Sequence, residues 1–220
     1  MLLLLSLAQA ANIAVYHDIT GTYAVESVNA AQAAGHTVQV FNRDGPGFRA
    51  AYLAGADLVI VESSYNYVPT EVITTIQDAT TAGRPVLFGY WDLDASAALQ
   101  AALGVTTTLS FTTPQPTISP APGDPYGLFM GVPPLNTTQD PVNDDGDILA
   151  GGVAAGTSAA GTIIAITRND SVIVNGFGPL NYHNQDADAD GVPDVRELLI
   201  HEIEVLLGGR PELLLRGPCP

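Results

Sequence analysis

Cysteine is almost absent from this chain. Its 220 residues include one, Cys219, so no internal disulfide can form. Basic residues are nearly as scarce, seven against 23 acidic ones, for a net charge of −16. A surface this short of Lys and Arg is a poor partner for nucleic acid or anionic membranes, which are bound through those side chains, and it attracts cations instead. Only 14% of residues are charged while 46% are hydrophobic. That excludes a disordered chain and leaves enough apolar material for one well-buried core with room for an inserted segment. No segment past the N-terminus approaches the ~20 apolar residues of a membrane span. The histidines supply no metal motif either: His201-Glu202 lacks the second histidine of a zincin helix. "GGVAAGTSAAG" has no lysine for a phosphate loop and reads as a flexible connection.

The two ends carry their own signals. "MLLLLSLAQA" has an apolar run, Leu2–Leu7, followed by the small-x-small pattern Ala8-Gln9-Ala10. It resembles a signal peptide without its basic start, and a buried first strand is the alternative. With residues 1–10 removed, the expectation is a protein with no membrane attachment, secreted or extracytoplasmic, in a bacterial periplasm, on a surface or outside the cell. The ending, "LLLRGPCP", has the apolar run of a strand, so residues 210–220 are either the start of a further domain or a frayed tail.

Between these ends, apolar runs alternate with helical segments. "NIAVYHD", "HTVQVFN", "DLVIVESS" and "RPVLFGYWD" read as strands. "AVESVNAAQAAG", "FRAAYLAGA", "PTEVITTIQDATTAG" and "ASAALQAALG" read as helices, with Pro69 at the start of the third, Thr70 as its cap and Gly83 at its end. This rhythm predicts βαβ units and a parallel sheet covered on both faces. It breaks over residues 106–147, rich in Thr, Pro, Gly and Asp, which predicts a long loop or a small β excursion. "GTIIAITRNDSVIVNGFG" predicts a hairpin turning at Asn169-Asp170. "DVRELLIHEIEVLLGG" predicts an amphipathic helix, apolar at Val195, Leu198, Leu199, Ile203, Leu206 and Leu207.

The pieces "ADLVIVESS", "GRPVLFGYWD", "DPVNDDGDILAGG" before a hairpin, and "VIVNGFGP" leading to "LLIHEIEVLLG", resemble in their order the class I glutamine-amidotransferase-like fold, in particular its ThuA-like branch. The resemblance spans residues 11–209 and implies a flavodoxin-like α/β three-layer sandwich, with a mostly parallel sheet and a late β-hairpin. Active members of that fold keep a cysteine nucleophile on the turn after the strand that corresponds to "RPVLFGYWD". Here that turn reads Gly89-Tyr90-Trp91-Asp92, and neither a phenol nor an indole replaces a thiolate in acyl transfer. The resemblance therefore carries over no catalytic residue. A receiver domain shares the strand order, but the paired acids and late-strand lysine it needs are missing.

One stretch has the spacing of a metal loop. In "DADADGVPDVRE" the positions that ligate calcium in an EF-hand-type loop are Asp186, Asp188, Asp190, the carbonyl of Val192, Asp194 and Glu197, with Gly191 sixth, where the loop turns. Calcium wants six to eight oxygens, and a divalent ion offsets this density of carboxylates. Against it stands a solvated acidic turn in which Asp194 and Glu197 cap the following helix. The preceding "NGFGPLNYHNQ" is not helical, and Pro193 removes the eighth-position N–H that pairs two such loops. The expectation is a lone structural Ca2+ clip, as in dockerin-like repeats. A second acidic run, with Asn143, Asp145 and Asp147, has Pro141 and Gly152 where its first and last ligands belong and reads as an acidic turn.

In open α/β sheets ligands bind beyond the carboxyl ends of the strands. Those ends carry His17, Asp18, Glu62, Ser63, Ser64, Tyr65, Tyr90, Trp91, Asp92 and Asp94, a polar and aromatic set suited to a sugar or peptide crevice. Two functions follow as expectations. One is an exported, non-catalytic domain that binds one structural calcium and serves in binding or scaffolding, with an extracellular protein or carbohydrate partner. The other is a carbohydrate-active hydrolase with Asp18, Glu62 or Asp92 as acid and base.

Overall fold

A computed structural model describes residues 10–19, 25–63, 68–90, 92–111, 117–136 and 146–208. The rest of the signal-like segment, the tail at 210–220, and Ser64, Tyr65 and Trp91 lie outside the described residues.

Five strands run parallel in the order β2 (Thr37–Asn42), β1 (Asn12–His17), β3 (Leu58–Ser63), β4 (Val86–Tyr90) and β10 (Val172–Asn175). The parallel sheet is what the alternating pattern predicts, and its 2-1-3-4-5 arrangement is the flavodoxin-like order that the resemblance implies. Apart from the edge strand β2, these strands are almost wholly buried, as expected of a parallel sheet with helices on both faces.

The period-2 geometry of a strand divides the core in two. Ile13, Val15, Leu58, Ile60, Leu87 and Ile173 point to one face, where α1 (Glu26–Ala33) and α5 (Asp194–Leu206) pack side by side. Ala14, Tyr16, Val59, Val61, Phe88 and Val174 point to the other. There α2 (Gly45–Leu53), α3 (Thr70–Thr81) and α4 (Ala97–Leu103) form the second layer. The start of α3 differs from the expectation: Pro69 occupies the cap position with no side-chain bond, and Thr70 is the first helical residue.

Beyond β10 the sheet continues antiparallel through β9 (Gly161–Thr167), β7 (Gly146–Ala150) and β5 (Thr106–Phe111), while β8 (Val153–Ser158) pairs with β9 and β6 (Ser119–Pro120) with β8. The expected hairpin is β9–β10. Its turn residues Arg168, Asn169 and Asp170 all have positive φ, and the Arg168 guanidinium donates to the carbonyls of Ala101 and Ala102 at the end of α4. Cations at a helix C-terminus are favoured because the last carbonyls lack intrahelical partners.

"GGVAAGTSAAG" is not a flexible connection. It supplies the Gly151-Gly152 turn and strand β8. Its small residues are steric requirements: a Cβ at Gly156 would lie 2.6 Å from Ile164 Cδ1 on the neighbouring strand. The excursion at 106–147 likewise belongs to the core where it is described, burying Ile118, Leu128, Phe129, Val132 and Leu135 against the α1/α5 face.

Candidate functional site

Side-chain alternation separates the strand-end residues that the sequence groups into one crevice. His17, Glu62, Gly89 and Asn175 stand in register across β1, β3, β4 and β10. They follow the Ile13/Val15, Leu58/Ile60, Leu87 and Ile173 positions by two residues, so they face α1 and α5. Asp18, Ser63, Tyr90 and Asp92 fall on the opposite face, beyond the core shared with α2, α3 and α4.

On the α1/α5 side, Glu62 is 2% exposed and its Oε2 accepts the Ser27 N–H at 2.8 Å. Burial raises its pKa to about 7, against the opposing hydrogen bonds from Ser27 and with a further push from Glu26. Glu202, fully buried on α5, accepts from Asn175 Nδ2 at 2.9 Å, and burial raises it to about 8. His17 is held below its usual pKa by burial, with Asp18 opposing. Glu26, 1% exposed, takes a two-pronged ion pair from Arg196, at 2.8 Å from Nε and 3.3 Å from Nη2. Bidentate geometry of this kind makes a charge-assisted pair strong.

On the other face, the Ser63 hydroxyl donates to Asp18 Oδ2 at 2.7 Å, and the Tyr90 hydroxyl lies 3.5 Å from Asp92 Oδ2. Tyr90 titrates well above its usual range, through burial first and then the charges of Asp92, Asp18 and Asp147. Asp147 is fully buried and accepts the N–H groups of Leu93 (2.7 Å) and Asp94 (3.2 Å). It thereby caps the 3-10 turn Leu93–Ala95 that follows β4. So the second acidic run ends in a capping residue, and Glu62 lies across the sheet from Asp18 and Asp92. Among the described residues, a glycosidase-type carboxylate pair would have to come from one face alone.

Sequence reasoning missed Glu26, Ser27, Asp147, Asn175, Arg196 and Glu202 as part of these strand-end networks. Two of them left a signal. Asn175 ends the apolar run "VIVN" as Glu62 ends "LVIVE", and Glu202 interrupts the apolar stripe of α5 between Leu199 and Ile203.

The loop at 186–197 sits before α5. It is shaped by its own aspartates. Asp186 accepts from Asp190 N–H at 3.1 Å and Gly191 N–H at 3.0 Å, Asp188 accepts from Asp190 N–H at 3.3 Å, and Asp190 accepts from Val192 N–H at 2.9 Å. Such Asx turns hold short loops folded. Gly191 has φ 90°, as the sixth position requires, and Ala189 also takes a positive φ of 59°. Carboxylate oxygens of Asp186, Asp188 and Asp190 lie within 4.8 Å of one another, and so do those of Asp188, Asp194 and Glu197. Asp194 does not cap the helix. Pro193 occupies that position, and the Asp194 carboxylate turns back to accept the Ala187 N–H at 3.2 and 3.3 Å. Its pKa is raised by burial, with Asp188 and Asp186 adding to the shift against the bonds from Ala187 and Gln185. The segment before the loop, Pro179–Tyr182, is a single 3-10 turn.

Neither a family model nor a curated sequence matches the chain. Solved structures do. A glutamine amidotransferase from Methylobacillus flagellatus superposes with a TM-score of 0.59 at 11% identity, over 91% of this chain and 96% of that one. A ThuA-like protein from Parabacteroides merdae gives 0.59 at 10%, over 92% of each chain. A glutamine amidotransferase from Thermotoga maritima gives 0.53 at 10%, over 90% and 98%. At these identities the likeness is one of architecture: the chain has the amidotransferase-like, flavodoxin-like fold found in class I glutamine amidotransferases and ThuA-like proteins.

Proposed function

We propose that this is a non-catalytic amidotransferase-like domain that binds one structural calcium ion in the loop at 186–197 and serves in binding or scaffolding outside the cytoplasm. The carrying observation is the pair of carboxylate groups that share Asp188. One lies within the loop and the other reaches the first turn of α5. Asp186, Asp188, Asp190, Asp194, Glu197 and the Val192 carbonyl together offer the oxygen count a hard cation of this size wants. Arg196, the one basic residue of the stretch, is engaged by Glu26 and leaves the loop acids to a cation. Export rests on the N-terminal apolar run and its small-residue pattern. A non-catalytic role rests on the turn at Gly89–Asp92, which has no thiol. The partner class that suits this setting is an extracellular protein or carbohydrate.

Thermal unfolding with and without calcium tests the reading. Loops of this kind in extracellular modules bind with Kd of about 10⁻⁴–10⁻³ M, so about 10 mM calcium stabilises by about 1.4–2.7 kcal/mol, a Tm rise of about 3–10 °C. Magnesium, which sheds water reluctantly and demands octahedral geometry, should do much less. Asp190→Ala should abolish the calcium effect. A wild-type melting curve that calcium leaves in place overturns the proposal.

A further inference from the structure

Two buried acids at the strand ends have no role in the calcium loop. Glu62, at the carboxyl end of β3, and Glu202, in the middle of α5, are 2% and 0% exposed. Each has one satisfied oxygen: Glu62 Oε2 receives the Ser27 N–H from α1, and Glu202 Oε2 receives Asn175 Nδ2 from β10. The second oxygen of each, and Asn175 Oδ1 as well, are buried without a hydrogen-bond partner among the described residues. All three are acceptors; the Ser27 hydroxyl and His17 Nδ1, also buried without such a partner, lie on the Glu62 side, so the missing donor is most acute at Glu202.

The surroundings supply no cation. On α1, Glu26 is occupied by Arg196 of α5. Elsewhere on α5, Glu204 reaches His36, and His201 contacts the Leu128 carbonyl. On β1, burial lowers the pKa of His17, with Asp18 opposing, and β4 presents Gly89, with no side chain. Ion pairs among the described residues reach neither acid. The space lined by Ser27, Glu62, Gly89, Asn175, Pro179 and Leu199 is too narrow for a water molecule. An isolated buried carboxylate is among the costliest groups a fold can hold, and it neutralises when no partner is at hand.

We infer that Glu62 and Glu202 act as a proton-held clamp: as neutral acids they fasten α1 and α5 to the carboxyl ends of β3 and β10, and their ionisation in alkaline solution loosens α5 from the sheet. Protonation turns each orphaned acceptor into a donor, and the orphaned Asn175 Oδ1 borders the same narrow space as Glu62. The burial that excludes water also raises both pKa values into the neutral range, to about 7 and about 8, so the clamp opens a little above neutrality. This inference does not rest on the calcium proposal.

Two measurements on the full chain test it. In infrared spectra near neutral pH, the carbonyl stretch of protonated carboxyl groups should be present in the wild type and reduced in Glu202→Gln. In hydrogen exchange, scaled for the intrinsic rate, α5 amides of the wild type should exchange about tenfold faster or more at about pH 9 than at about pH 6, ahead of the β1 and β3 amides. In Glu62→Gln/Glu202→Gln the α5 protection should hold. Where the double variant folds poorly, Glu202→Gln alone serves, since its amide offers both an acceptor for Asn175 Nδ2 and a donor. Wild-type α5 protection that is equal at both pH values, an equal loss in the Gln variant, or loss simultaneous with the whole sheet each overturns the clamp.

Discussion

Replacing Glu202 by glutamine should flatten the pH dependence of stability, and the size follows from the burial of the site. In the unfolded chain the carboxyl titrates at 4.5, and in the folded chain at about 8. Below pH 4.5 both states hold the proton and Glu202 costs nothing. As pH rises past that point the unfolded chain ionises while the folded one does not, so stability falls, and the fall ends near pH 8, above which both states are ionised. At about 1.4 kcal/mol for each pH unit of separation, the full penalty is about 5 kcal/mol, of which about 3 kcal/mol accrues between about pH 5.5 and 8. For a chain of this size that is a Tm loss of about 6–12 °C. Glu62, titrating at about 7, adds a smaller loss of the same sign. His17 acts oppositely: its lowered pKa means the unfolded chain takes up a proton first, so its contribution improves as pH rises through its unfolded value. Comparing wild type with Glu202→Gln cancels these and the general repulsion of a −16 chain. Tm measured from about pH 5.5 to 8 should fall more steeply in the wild type by that amount. Parallel curves would mean that Glu202 is ionised and accommodated in the folded state, and the reasoning from burial would be refuted.

Other substitutions probe the antiparallel half. Asp147→Ala leaves the Leu93 and Asp94 N–H groups without their buried acceptor. It should cost about 2–4 kcal/mol in denaturant unfolding, given about 1–3 kcal/mol per unsatisfied buried group. Asp147→Asn, which keeps an acceptor oxygen, should recover most of that. Gly176→Ala should be more damaging, because its Cβ would stand 2.3 Å from the Asp147 carbonyl and 3.3 Å from that of Ile163, both backbone atoms. A loss of about 4 kcal/mol or more, or failure to fold, is expected, and a midpoint within error of wild type would show that β7 can shift to make room.

The parallel half was legible because its signals are local. Each apolar run of β1, β3 and β4 is bounded by polar residues and alternates with a helical segment, so parallel pairing and right-handed connection follow from the alternation, while the strand order came only with the family resemblance. The antiparallel half was harder to read. β8 carries Ala, Gly and Ser among its six residues, which weakens its strand signal, and at Gly156 Ile164 leaves no room for a side chain. That constraint exists only once β8 and β9 are paired. The site was legible in part for a similar reason. The sequence shows which residues end strands, and Asp18, Glu62, Tyr90 and Asp92 do lie there, but it does not show that they divide between the two faces of the sheet. Consecutive residues of a strand point to opposite faces, so His17 and Asp18, or Glu62 and Ser63, are neighbours in sequence and separated by the sheet. Ser27, Asp147 and Glu202 come from elements 27 to 54 residues from their partners, a distance no local pattern spans.

Helix α5 ties the two proposals together physically. Its apolar stripe is broken by Glu202, and its first turn carries Asp194, also fully buried. A helix that buries two acids docks less favourably than its leucines alone would give, since each acid must stay neutral or find a partner. Arg196 offsets part of this by joining α5 to Glu26 of α1. Acids in the first turn also interact well with the helix N-terminus, whereas Glu202, farther along, gains nothing from it. A cation bound by Asp188, Asp194 and Glu197 would act where the helix begins, so its binding free energy would be docking free energy for α5. The two devices should then be coupled. Calcium that stabilises the docked helix must raise the pH at which α5 loosens, and alkaline ionisation of Glu202 must weaken calcium binding by the same factor, since linkage is reciprocal. In Glu202→Gln, calcium affinity measured by titration should lose this alkaline weakening, while an identical pH dependence in both proteins would show that the clamp and the loop are independent.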